Sequence, residues 1–235
     1  MQLFYNPHIQ SDIFELDETE SKHAIRVLRM ARGDRVILVD GKGGWFEAHI
    51  TDDHPKRCKL QIDSHTPDYK PLSYSLHLAV APTKNLDRFE WFLEKATEIG
   101  ITEVTPLICM RSERKEVKLE RLEKIIVSAM KQSLRAFKPV LHKPSGMDSF
   151  LRAGREGTLG IAHCYPLERQ GLGELELSGN YTMLVGPEGD FTEGEVSEAI
   201  EAGYVPFHLG DSRLRTETAA VFITSSISLL HQRIF

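Results

Sequence analysis

Two glycine-bearing segments hold the residues best suited to chemistry: Gly186-Pro187-Glu188-Gly189, and Leu209-Gly210 running on to Leu214-Arg215-Thr216-Glu217-Thr218-Ala219. Each follows a short apolar run, residues 181–185 (which include Leu184) in one case and 205–209 in the other, and each precedes a stretch of helical spacing. In α/β sheets, ligands bind where a strand ends in a loop that opens a helix. Glycine lets main-chain N–H and C=O groups come close to a small ligand, so an adenine-sized group could be held by backbone and apolar walls. Arg215 and Arg111 are cationic donors that could stabilise developing negative charge, and Glu217 or Glu188 could accept a proton or position a ligand. Read singly, either loop can equally be a plain turn, with Thr216 or Thr218 capping the last helix and Arg215 and Glu217 forming an exposed ion pair.

Other chemistries find less support. Gly41-Lys42-Gly43-Gly44 sits between two strand-like runs and opens no helix, which predicts a hairpin turn rather than a phosphate loop. Neither GxxxxGK[ST] nor a strand-GxGxxG-helix pattern occurs. The three cysteines, Cys58, Cys109 and Cys164, are widely spaced, and the ten histidines show no HExxH-type spacing, so no metal is expected. A net charge of −5 argues against a protein that coats nucleic acid nonspecifically, yet leaves room for a local basic face. The N-terminus has no basic start followed by an apolar run, and no segment is long and apolar enough to span a bilayer; a cytoplasmic protein is expected.

The elements that must position these loops fall into two groups. Residues 1–70 read as a small β-rich unit: Asp17 and Glu20 as a capping box for a short helix with Ala24, Ile25, Val27 and Leu28 on its apolar side, then strands over 35–40, 45–50 and 57–63. The segment 64–72, SHTPDYKPL, is the predicted linker. From 71 to 235 the rhythm becomes alternating strands and helices: a strand at 76–80, a helix over 86–99 stopped by Gly100, a helix carrying Leu119, Leu122, Ile126, Ala129 and Met130, and a strand at 159–163. After the 181–185 strand, Thr192 and Glu195 form a capping box for a helix that Gly203 ends. The last helix carries Ala219, Phe222, Ile223, Ile227 and Leu230 on one stripe and runs toward Phe235, packing within the subunit or against a partner. Trp45 and Trp91 are predicted core or domain contacts.

Three groups of basic residues are candidates for nucleic-acid phosphates: Lys22, Arg26 and Arg29 at helical spacing, Arg111, Arg114 and Lys115 after a strand, and Lys131, Arg135 and Lys138. Each group alone also fits a solvated face.

The combination GPEG, then LG, then LRTETA resembles the cofactor signature of SPOUT-class methyltransferases. Within that class the chain is most similar to the ribosomal RNA small subunit methyltransferase E family. The likeness includes His23-Ala24-Ile25-Arg26-Val27-Leu28-Arg29 followed by Gly33-Asp34, residues 84–100 (KNLDRFEWFLEKATEIG), Pro106, Arg111-Ser112, and Gln132-Ser133 with Arg135 and Pro139. The resemblance implies an N-terminal PUA-like β-barrel over 1–70, a SPOUT α/β domain with a C-terminal trefoil knot over 71–235, and a homodimer. It also implies N3-methylation of one uridine in 16S rRNA of the small ribosomal subunit, with S-adenosyl-L-methionine as donor. On this reading Leu184, Gly186, Pro187, Glu188, Gly189, Leu209, Gly210, Leu214, Thr216, Thr218 and Ala219 bind the cofactor. Arg215, Glu217 and Arg111 are catalytic, and Lys22, Arg26, Arg29, Arg114, Lys131 and Arg135 meet RNA. The chain departs from the family pattern at three places: Asp190 for a third glycine, Lys131 for an acid, and Ser212-Arg213 for arginine then an aliphatic residue.

Overall fold

Short apolar runs, such as residues 36–39 with all four side chains buried, set the first sheet. A computed structural model of the chain describes residues 2–9, 11–176 and 178–232; Arg233, Ile234 and Phe235 of the predicted last helix lie outside them. One compact unit comprises Met1–Pro71 with Met130–Lys138, the other Leu72–Ala129 with Pro139–Phe235.

In the first unit, β1 (Leu3–Tyr5), β2 (Ile13–Glu15), β3 (Arg35–Val39), β4 (Trp45–Asp52) and β5 (Lys59–Thr66) form a curled sheet in the order β1-β3-β4-β5-β2. Its inner face buries Phe4, Val36, Leu38, Ala48, Ile50 and Leu60. The Gly41–Gly44 segment is indeed a turn, closed by the Asp40 carboxylate accepting from the Lys42 and Gly44 amides at 2.7 and 2.9 Å. The predicted linker loses its first three residues to β5, because Thr66 and His65 pair with Trp45 and Phe46 and the His65 and Phe46 rings stack at 4.1 Å. Asp17 caps α1 (Glu18–Lys22), accepting from the Glu20 amide, but the helix widens to a π-turn over His23–Val27. Val27 therefore points to solvent, 66% exposed, instead of joining Ala24.

In the second unit, the strands β6 (Ser75–Val80), β7 (Glu103–Ile108), β8 (Val140–Leu141), β10 (Thr158–Ala162), β11 (Gln170–Gly171), β12 (Asn180–Val185) and β13 (Val205–His208) run parallel in the order β11-β13-β10-β12-β6-β7-β8, with β9 (Ser145–Gly146) beside β7. Helices α2 (Leu86–Ile99), α3 (Leu119–Gln132), α4 (Met147–Arg152), α5 (Glu193–Glu201) and α6 (Thr216–His231) complete it. The sheet is buried on both faces, as parallel sheets are. Leu76, Leu78, Val80 and Met183 enter one core with α2 and α6; Ala79, Leu107, Ile161 and Leu184 enter the other with α4 and α5. Gly100 ends α2 with φ +130°, and the Thr192–Glu195 capping box opens α5 as its spacing predicts. Trp45 is buried, but Trp91 is 45% exposed on the outer side of α2, against expectation.

Candidate active site

β13, β10 and β12 are adjacent and parallel, so their carboxyl ends and the loops that follow lie side by side. Together the loops 163–169, 186–190 and 209–215 wall a cleft of about 980 Å³, closed at one end by Thr216 and Ala219 of α6. The two glycine-bearing turns meet there. The Thr216 hydroxyl donates to the Gly186 carbonyl at 2.9 Å, so this threonine ties the loops together and caps nothing. α6 begins at Arg215 without a side-chain cap, which leaves the amide-rich, positive end of the helix beside the cleft.

The loop after β12 is held in place by several contacts. A side chain at Gly186 would press on the Phe191 ring at 3.0–3.1 Å, which accounts for glycine there. Asp190 takes φ +62°, a left-handed conformation that suits glycine; its carboxylate compensates by accepting from the Cys164 and Phe191 amides, each at 2.8 Å. The Asp190 side chain thus clips this turn to the loop after β10. Arg111 Nη1 donates to the Gly189 and Phe191 carbonyls at 2.9 and 3.1 Å and to the Tyr165 hydroxyl at 3.0 Å. Glu195 of the α5 capping box also accepts from the Met110 amide at 2.7 Å, fixing the segment that bears Arg111. Glu188 accepts from the Lys84 amide at 2.9 Å.

Of the residues singled out from sequence, Arg111, Gly186, Pro187, Glu188, Gly189, Leu209, Gly210, Leu214, Arg215, Thr216 and Ala219 line this one cleft. Three do not. The Leu184 side chain is wholly buried in the α5-side core, Thr218 faces outward from α6, and Glu217 is buried beside the cleft with Oε1 3.9 Å from Arg88 Nε and Oε2 without a hydrogen-bond partner. Arg111, bonded to loop carbonyls, acts as a brace rather than a free cation. The 163–169 loop was missed from sequence: His163, Cys164, Tyr165, Pro166 and Arg169 line the cleft. It carries no glycine, so its only signal was its place after a strand. His163 is 4% exposed; burial, with the charge of Arg169, holds its pKa below the ordinary value, and the Tyr165 amide donates to its Nδ1.

The basic groups differ in availability. Arg26 and Arg29 are exposed, although Arg29, at φ +57°, lies past the helix it was expected to share with Lys22; Lys22 pairs with Glu18 at 2.7 Å. Lys131 is engaged, 2.7 Å from Glu20 and over the Phe4 ring at 5.6 Å, so a phosphate would have to displace a carboxylate to reach it. Arg114 donates to the Lys84 carbonyl at 2.9 Å, and Arg135 is half-buried.

Residues 70–228 match the family model of the RNA methyltransferase domain, and residues 16–63 that of the RNA methyltransferase PUA domain. The ribosomal RNA small subunit methyltransferase E of Rickettsia conorii is 31% identical over 92% of this chain and 89% of its own. The chain belongs to this family of RNA methyltransferases. Among solved structures, a probable rRNA-methyltransferase from Porphyromonas gingivalis is 39% identical with a TM-score of 0.91 over 98% of both chains. A ribosomal RNA small subunit methyltransferase E from Neisseria gonorrhoeae bound to S-adenosyl methionine is 29% identical with a TM-score of 0.90 over 98% of both.

Proposed function

We propose that the chain methylates N3 of a single uridine in 16S rRNA of the small ribosomal subunit, with S-adenosyl-L-methionine as donor, and works in the cytoplasm as a homodimer. The observation that carries this reading is the meeting of the 186–190 and 209–216 turns, joined by the Thr216–Gly186 hydrogen bond, in a cleft large enough for a nucleoside-sized ligand. The donor set fits the cofactor: glycine backbone at 186, 189 and 210, apolar walls from Pro187, Leu209, Leu214 and Ala219, and an uncapped helix start. The Neisseria relative, with S-adenosyl methionine bound, supports the same assignment.

When bound, the cofactor supplies an electrophilic methyl group on a sulfonium. The chain's own part is to orient and to handle charge. Uracil N3 carries a proton and attacks only as that proton leaves, so negative charge grows on the ring oxygens. Arg215, exposed at the cleft wall, is the group that meets this charge, because Arg111 is already committed to the loop carbonyls. Between the two carboxylates considered from sequence, Glu188 lines the cleft and is the one in reach of the proton, whereas Glu217 lies behind the wall.

Two further parts of the reading have structural support. Along α6, Thr218, Phe222, Ser225 and Leu229 form one outward stripe, with Phe222 46% and Leu229 67% exposed, an apolar surface suited to a second copy. The single apolar stripe read from sequence is divided: Ala219, Ala220, Ile223 and Ile227 are buried within the subunit, while Phe222 and Leu230 are exposed. β13 follows β12 in the chain yet lies beyond β10, so the intervening segment must pass β10, as a trefoil knot requires. Among the described residues no helix is long and apolar enough to cross a membrane.

The deciding experiment maps methylated bases by mass spectrometry in rRNA and transfer RNA from a strain lacking the gene, before and after treatment of its small subunits and its transfer RNA with the purified protein and S-adenosylmethionine. Appearance of one N3-methyluridine in 16S rRNA is expected. Methylation confined to transfer RNA, or none at all, would overturn the assignment.

A further inference from the structure

A second cluster of chemically capable side chains sits in the parallel sheet away from the cleft. His77 and Glu103 are register partners on β6 and β7, and just past β8 the His142 amide donates to the Val104 carbonyl at 2.8 Å. Strand hydrogen bonds thus fix all three backbones, and the side chains converge. Glu103 Oε2 lies 2.7 Å from His142 Nε2 and 3.7 Å from His77 Nδ1, and the three groups' ligating atoms all fall within 4.8 Å of one another. The other ring nitrogen of His77, Nε2, is 2.7 Å from the buried Thr105 hydroxyl, and Phe150 meets the ring edge-on at 5.5 Å.

We propose that His77 Nδ1, Glu103 Oε2 and His142 Nε2 form a binding site for a divalent transition metal ion, with zinc as the ion that this ligand set fits best. Two imidazoles and one carboxylate are a borderline donor set that suits zinc over magnesium or calcium. A tetrahedral zinc with bonds of about 2.0–2.1 Å sets its ligand atoms about 3.4 Å apart; the measured 2.7 and 3.7 Å bracket that separation. Thr105 supplies the outer contact that metal-bound histidines need: with Nε2–H donating to its hydroxyl, the Nδ1 lone pair of His77 faces Glu103. The side chains of Glu103 and His142 are 35% and 40% exposed, which gives an ion a way in and leaves a fourth position for water. β8 is a strand of two residues at the sheet edge, and ligation through His142 would staple it to β7 and β6.

The test uses the full-length protein, stripped with chelator and titrated calorimetrically with zinc chloride alone, beside the variants H142A and E103Q. One zinc per chain is expected with a micromolar or tighter Kd, weakened about tenfold or more in each variant, and zinc should raise the Tm of the parent but not of the variants. Metal-free melting shows whether each variant is folded, and either folded variant suffices. Absence of binding by the parent, or equal binding by parent and a folded variant, would overturn the proposal.

Discussion

Asp190 illustrates how one side chain can hold a backbone shape that glycine reaches more easily. Its carboxylate clips two amides while its own backbone sits at φ +62°. Replacing it with alanine keeps the strain and removes the clips, whereas glycine removes both. Calorimetry with S-adenosylmethionine should therefore show D190A weakened by about tenfold and D190G by less, since each lost hydrogen bond is worth about 1 kcal/mol; equal loss in the two would detach the carboxylate from this role. If Arg215 acts as proposed, on charge that exists only in the transition state, R215A should lower methyl transfer by about a hundredfold or more while cofactor affinity changes little. His77 yields a pH prediction for the metal-free protein. Burial first, then the charge of Arg155, pushes its pKa down to about 4, with Glu103 opposing and His142 adding to the fall. An unfolded chain binds this proton near pH 6.5, so between there and pH 4 the unfolded state takes up more protons and stability drops as pH falls. The contribution is on the order of 3 kcal/mol, and urea titrations of H77Q with chelator present should show a flatter dependence over that window.

At the level of elements, periodicity made most helices and the longer strands legible: the Thr192–Glu195 capping box, Gly100 as a stop and the 181–185 run all fall where spacing predicts. Short or edge elements were not. β1, β2, β8 and β11 have two or three residues each, too few for alternation to register. Helical spacing on α6 did not separate its two faces, since Phe222 is apolar and three residues after buried Ala219 yet shares the outward face of Thr218. A surface of this kind is stable when covered. On the proposed homodimer, light scattering should give a dimer's mass for the parent and a monomer's for the double variant F222E/L229E; an unchanged mass would remove α6 from the interface.

For the molecule as a whole, the part of the site carried by glycines could be read from sequence and the part carried by topology could not. Gly186, Gly189 and Gly210 announce themselves because few residue types suit close backbone approach. The 163–169 wall emerges only once β10 is known to lie between β12 and β13. Likewise residues 77, 103 and 142 show no motif spacing; pairing of β6 with β7 and β7 with β8 unites them. Glu217 and Lys131 have the right chemical type but are turned to neighbours, Arg88 in one case and Glu20 in the other.

The order β13-β10-β12 has a temporal implication for synthesis. Every wall of the cleft except Arg111, Ala162 at the end of β10 and the loop after it comes from residue 185 onward, and Thr216 and Ala219 of α6 are among the last of them. A nascent polypeptide halted before α6 emerges from the ribosome lacks the end wall and the hydroxyl that joins the two turns. If this cleft holds the cofactor as proposed, a chain that stops short of α6 should bind none, whatever the state of the rest of the sheet.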